Sequence, residues 1–174
     1  MADMNLLNQI LAEILTCACD VLDNGLADAD AAQCGCPCRA FVTAGTPVWD
    51  VESCCGDGQI AVYVRDIYPF SNFPSRGNSA EICSPSLAAN ITVQLLRCWP
   101  GMKDDGSAPT GPEIQRASDD IYRDLFLLTW GLICCLLQNG RKRKFALTSS
   151  RITGPQGGCV GAEVEFAIEL LDVN

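Results

Sequence analysis

Twelve cysteines in a chain without a single histidine pose the first chemical question. Thiolates can hold zinc, attack carbon or pair as disulfides. Cys34, Cys36 and Cys38, followed by Cys54 and Cys55, supply enough sulfur for a tetrahedral zinc ion. Their spacing argues against one, because structural zinc sites show two Cys-x2-4-Cys knuckles. Here one cluster alternates at every second residue and the other is a vicinal pair. Cys17 and Cys19 fall in helical sequence, where residues two apart point to different sides and would not chelate together. A cysteine nucleophile needs a base and an electropositive setting. The only cations next to a cysteine are Arg39 and Arg97, both in strand-like sequence. Without imidazole, Ser-His-Asp and Cys-His catalysis and His-ligated zinc are removed as well. Gly154 to Gly161 is glycine-rich, yet it lacks Gly-Lys-Ser/Thr and leads into a strand, so it reads as a hairpin turn with positive-φ positions. These residues imply neither an enzyme nor a cofactor. A zinc or thiol protein built on Cys34, Cys36, Cys38, Cys54 and Cys55 is the alternative.

The start, Met1 to Asn5, lacks the basic n-region of a secretory signal. Folding in a reducing cytosol is therefore expected, with most thiols behaving as small buried hydrophobes. Disulfides formed after release into an oxidising medium are the competing expectation.

The elements that must position these residues are legible in the hydrophobic pattern. Leu6, Leu7, Ile10, Leu11, Ile14, Leu15, Ala18, Val21 and Leu22 recur at helical intervals and predict an amphipathic helix over 4–23. Strand composition marks 38–44. Alternation predicts strands at 59–67, with Ile60, Val62 and Val64 on one face, and at 90–98, with Ile91, Val93 and Leu95. A second helix is expected over 112–138, capped by Thr110 or Gly111 and ended by Asn139-Gly140. Its later half is apolar on every side. The uncharged stretch Leu125 to Gly140 would span about 24 Å, short of the ~30 Å hydrocarbon core, so a buried central helix is expected and no membrane partner. Strands at 144–152 and 159–171 close the chain, the latter with Val164, Phe166, Ile168 and Leu170 opposite Glu163, Glu165 and Glu169. That carboxylate face reads as solvated or subunit-facing. The sum is an α+β domain spanning 1–174: an antiparallel sheet with the N-terminal and central helices on one face and a C-terminal hairpin.

Three segments stand out as interaction surfaces. Pro69 to Ala89 is a long connection without evident structure of its own, and such loops are usually functional. Tyr68, Phe70, Phe73 and Arg76 are its candidate contacts. Lys103, Asp104 and Asp105 lie in a second polar loop. Arg141, Lys142, Arg143 and Lys144 follow the central helix, where cations suit the helix dipole or dock on an acidic partner.

With 174 residues, the chain can bury roughly 69% of its unfolded surface, enough for one core. Its 48% hydrophobic content is too high for a disordered tail. Twelve Lys and Arg against 21 Asp and Glu leave a net charge of −9, which argues against holding nucleic acid by its phosphates.

Cys36-Pro37-Cys38-Arg39, Cys54-Cys55-Gly56, Ile67-Tyr68-Pro69 with Phe73-Pro74, Leu96-Arg97-Cys98-Trp99-Pro100 and Gly154 to Gly161 resemble the neck proteins of long-tailed bacteriophages that infect actinobacteria. Within that group the similarity is greatest to the tail terminators, and it runs from about residue 17 to the C-terminus. The stopper and adaptor of the same neck are the alternatives. The resemblance implies a virion protein, made in the host cytoplasm, that forms a homo-oligomeric ring, usually of six copies. Such a ring sits on the tail tube protein, halts its polymerisation and presents a surface to the head-side stopper or connector. DNA passes through without being gripped, and six subunits at −9 each suit that passage.

Overall fold

The computed structural model describes residues 4–24, 35–49, 55–56, 58–77, 86–138 and 144–170. Helix α1 (Met4–Asn24) precedes a short strand β1 (Arg39–Thr43) and a long strand β2 (Gln59–Asn72). A two-residue strand β3 (Ser75–Arg76) folds back on the end of β2, and β4 (Ser86–Cys98) follows. Helix α2 (Gly111–Gln138) leads to β5 (Phe145–Gln156) and β6 (Cys159–Leu170). The sheet order is β1-β2-β4-β6-β5, with β3 pairing β2 outside that path.

Both helices lie against one face of this sheet because both carry an apolar stripe and the strands alternate. From α1, Ile10, Leu11, Ile14, Ala18 and Leu22 are buried. They meet Ile60 and Val62 of β2, Ile91, Val93 and Leu95 of β4, and Val164, Phe166 and Ile168 of β6 in one core with Ile121, Leu128 and Leu132 of α2. The helices approach closely at Gly131, where an added Cβ would meet the Val21 side chain at 2.2 Å. Only glycine permits that spacing. The turn between β5 and β6 uses Gly157 and Gly158 at φ 57° and 76°. Consecutive positive-φ residues match the twist of an antiparallel hairpin.

The structure departs from the sequence expectations in four places. First, β1 runs parallel to β2, with Arg39 to Thr43 in register with Gln59 to Tyr63. The sheet is therefore mixed at that edge rather than wholly antiparallel. Secondly, the segment from Pro69 is not a structureless loop throughout. β2 continues to Asn72, and Tyr68, Pro69 and Phe70 pair with Ala88, Leu87 and Ser86. A proline lacks a ladder donor, but its carbonyl still accepts, here from Gly77 N–H at 2.8 Å. Residues 78–85 lie outside the described residues.

Thirdly, most of the cysteines among the described residues are disulfide-bonded. Cys17 joins Cys135 across the two helices, Cys19 joins Cys36, and Cys55 joins Cys98. Cys159 is also disulfide-bonded, whereas Cys38 and Cys134 are free. Cys17 and Cys19 do point to different sides of α1, each to its own partner. Fourthly, α2 is not buried all round, for reasons given below.

Candidate interaction surfaces

The opposite face of the sheet carries the carboxylates, and they are not simply solvated. Glu163 is buried and accepts from Arg151 Nε and Nη2 at 2.9 and 2.6 Å and from Gln94 Nε2 at 2.6 Å. Glu165 pairs with Arg65 at 2.6 Å and Arg151 at 3.0 Å, and Glu169 with Lys144 at 3.2 Å. Arg151 comes from the neighbouring strand β5 and faces Glu163 across the ladder, whereas Arg65 reaches Glu165 from β2 over the intervening β4. Trp49 covers the other end of this face against Leu96 and Cys159. A polar groove of about 280 Å³ opens between Arg65, Asp66, Arg76, Asn90, Thr92, Thr148 and Glu165. Its charges are paired within the chain, since Arg76 binds Asp66 and Asn90 Nδ2 donates to Asp66 Oδ1 at 2.6 Å.

The candidate contacts Tyr68, Phe70, Phe73 and Arg76 come together at the tip of the β2–β3 arm. Tyr68 is buried, and its hydroxyl donates to the Pro74 carbonyl at 2.9 Å. The Arg76 guanidinium stacks 4.9 Å from the Tyr68 ring centroid. Phe70 and Phe73 meet edge to face at 5.5 Å, both half-buried. Tyr68 is thus enclosed within the arm, bonded to its tip. Phe73 and Arg76 retain exposed surface there.

Lys103, Asp104 and Asp105 form a tight turn that caps α2. Gly106 N–H donates to the Lys103 carbonyl at 2.8 Å. Hydrogen bonds from Ser107 hold the Asp105 carboxyl below its ordinary range. Thr110 donates from both N–H and Oγ1 to Glu113 Oε2, each at 2.7 Å, and Lys103 pairs with Glu113 at 3.0 Å. Those donors pull the Glu113 pKa down to about 2. This is the glutamate half of a capping box, the Glu113 side chain reaching back to the N-cap N–H. It accounts for Lys103 and Asp105 locally and leaves Asp104 exposed. Of the basic run, Lys144 is described and pairs with Glu169. Arg141, Lys142 and Arg143 lie outside the described residues.

The zinc alternative loses ligands to sulfur–sulfur bonds. Cys36 is bonded to Cys19, and Cys55 to Cys98, while Cys38 is exposed and free. Cys34 and Cys54 lie outside the described residues. Among the described residues no group of three or more His, Cys, Asp or Glu is placed to hold a metal.

Most motif residues quoted above gather at the pole of the sheet opposite the arm. The Cys55–Cys98 disulfide ties the entry to β2 to the end of β4. Trp99 N–H donates to the Gly158 carbonyl in the β5–β6 turn at 2.8 Å. Arg97 donates to Asp124 Oδ2 at 2.9 Å and to the Gly35 carbonyl at 2.8 Å. Asp124 is fully buried, and burial raises its pKa while the Arg97 charge draws it back.

The surface that sequence reasoning missed is on α2. Ile121, Asp124, Leu128 and Leu132 face inward and are buried, but Tyr122, Phe126, Trp130 and Leu137 are 62, 67, 65 and 63% exposed. The signal was present. A helix that is apolar all round is either enclosed by its own chain or has a second apolar face for something else, and a length argument against a membrane does not separate the two. None of the described helices is long and apolar enough to cross a membrane.

No protein-family model matches the chain, and no curated protein matches it at a significant level.

Proposed function

We propose that this chain is a structural virion protein of the phage neck, a tail terminator. In this reading six copies form a ring that caps the tail tube, ends its polymerisation and joins the tail to the head-side connector. The carrying observation is the convergence of the motif residues. Segments far apart in sequence, Cys55, Leu96 to Pro100 and Gly154 to Gly161, meet at one pole through the Cys55–Cys98 disulfide and the Trp99-to-Gly158 backbone hydrogen bond, with Gly35, just before Cys36, accepting from Arg97. Most of the residues that carry the resemblance therefore share one structural unit, while Ile67 to Pro69 and Phe73-Pro74 belong to the arm. Two helices on one face of a sheet agree with the expected fold.

Charge supports the same reading. An annulus that DNA threads works better if it repels phosphates, and each copy carries −9. The disulfides suit a particle that is built in the host cytoplasm and then released into an oxidising medium. The arm tip, with Phe73 and Arg76 beyond the body of the sheet, supplies a projecting contact for the tube or the connector.

Deleting the gene in the producing phage tests the proposal. A terminator leaves overlong tails without attached heads. Tails of normal length without heads would reassign the chain to the stopper. Antibody labelling of intact particles away from the head–tail junction would remove the neck reading altogether.

A further inference from the structure

We propose that the outer face of α2 pairs with the same face of a second copy of this chain, the two helices running antiparallel and crossing near Trp130. This inference does not rest on the neck reading. A ring closes through two different patches on each subunit, whereas this contact uses one patch twice.

The area argues that the face is covered by something. Tyr122, Phe126, Trp130 and Leu137 are each more than 60% exposed on a well-formed helix. Three aromatics and a leucine so placed offer roughly 500 Å² of apolar surface. That is near the upper end of the about 300–600 Å² of the largest patch on a typical monomer. Two such faces together remove roughly 1,000 Å², about the minimum for a specific interface, before any flanking residue adds to it.

The spacing argues that the cover is a second copy. Trp130 stands eight residues after Tyr122 and seven before Leu137, so it divides the stripe into arms of about 12 and 10.5 Å. In an antiparallel crossing at Trp130, Tyr122 of one copy lies opposite Leu137 of the other. Phe126 then lies opposite the small Cys134, which is partly exposed on the same side. On either side of the crossing Phe126 thus meets a smaller residue, which leaves room for the two helices to interdigitate there. Between Tyr122 and Leu137 the only charged residues are Arg123 and Asp124. Asp124 is on the buried face, and Arg123 binds Asp120 at 2.9 Å on the flank. No unpaired charge enters the contact.

Charge also separates this partner from others. Two copies at −9 repel at long range, so screening should tighten their association. A basic partner would show the reverse.

Sedimentation velocity over a concentration series, on the full chain, tests the proposal. The wild type should form a reversible dimer that strengthens as salt is raised. Trp130→Asp and Phe126→Asp should each weaken it at least about tenfold, as for central aromatic anchors, with circular dichroism unchanged and melting unchanged at concentrations where the wild type is monomeric. Phe126→Leu should largely retain it. When Tyr122→Cys and Leu137→Cys proteins are mixed, 122-to-137 cross-links should exceed 122-to-122 and 137-to-137 cross-links. A monomeric wild type, an assembly indifferent to Trp130→Asp, or cross-links favouring like residues would overturn the proposal. So would a stripe that becomes protected only when a different protein is added. Failure here leaves the gene-deletion result untouched, so the two readings fail separately.

Discussion

The two faces of α2 have similar composition and different work. Leu128 and Leu132 are buried against α1 and the sheet, whereas Phe126 and Trp130, two residues away, stand in solvent. Hydrophobicity therefore does not say which residues hold the fold. Position relative to the other layers does: the inward face has α1 and β6 to meet, and the outward face meets nothing among the described residues. A helix with both faces apolar carries the folding information on one side and the recognition information on the other.

The difference can be sharpened by substitution, beginning with the disulfide on the inner side. Cys17–Cys135 closes a separation of 118 residues, and Cys19–Cys36 one of only 17. Loop entropy assigns them about 5 and about 3 kcal/mol respectively, as upper figures. Replacing Cys17 and Cys135 by alanine should lower the urea midpoint more than replacing Cys19 and Cys36. The reverse order would show that the helix pair is held by packing alone.

Next comes the buried ion pair. Arg97→Ala leaves Asp124 buried without its cation and should cost about 3–5 kcal/mol at neutral pH. Because burial already raises the Asp124 pKa, removing Arg97 raises it further. Protonation of the folded state then relieves the penalty as pH falls, so the gap between variant and wild type should narrow in mildly acid urea titrations. A gap that widened would reverse the assignment.

Leu128→Ala should cost about 3 kcal/mol, since the side chain is fully buried and leaves a cavity. Phe126→Ala, two residues before it, should change the stability of the isolated chain by no more than about 0.5 kcal/mol. Comparable losses at the two positions would mean that the outer face is packed within the chain after all.

The least effect is expected at the helix start. Glu113 titrates at about 2 rather than 4.5 because Thr110 and Lys103 hold its anion. A depressed carboxylate stabilises above its ordinary pKa and loses that contribution as pH falls through about 2. Glu113→Gln should flatten the acid end of the far-ultraviolet dichroism curve, between about 4.5 and about 2, without altering it near neutrality.

Much of the architecture was readable from local pattern. The period of Leu11, Ile14, Ala18 and Leu22 and the alternation of Val164, Phe166 and Ile168 report which side of an element meets apolar matter, and the core follows from both. The glycines at 157 and 158 reported their turn because positive φ excludes most other residues. The candidate contacts were less legible. Tyr68 and Arg76 looked like loop residues because pairing of Tyr68 with Ala88 depends on a strand about twenty positions away.

Local chemistry thus settled element type, inward faces, acidity and the lack of imidazole, because each is a property of residues a few positions apart. The sulfur pairings, the parallel edge strand, the ion pairs behind the sheet and the uncovered side of α2 were decided by tertiary structure. A disulfide requires two Cα atoms within a few ångströms, 6.0 Å for Cys17 and Cys135, and a face is exposed only by what fails to pack on it. Neither distance nor absence of a neighbour is carried by spacing along a chain.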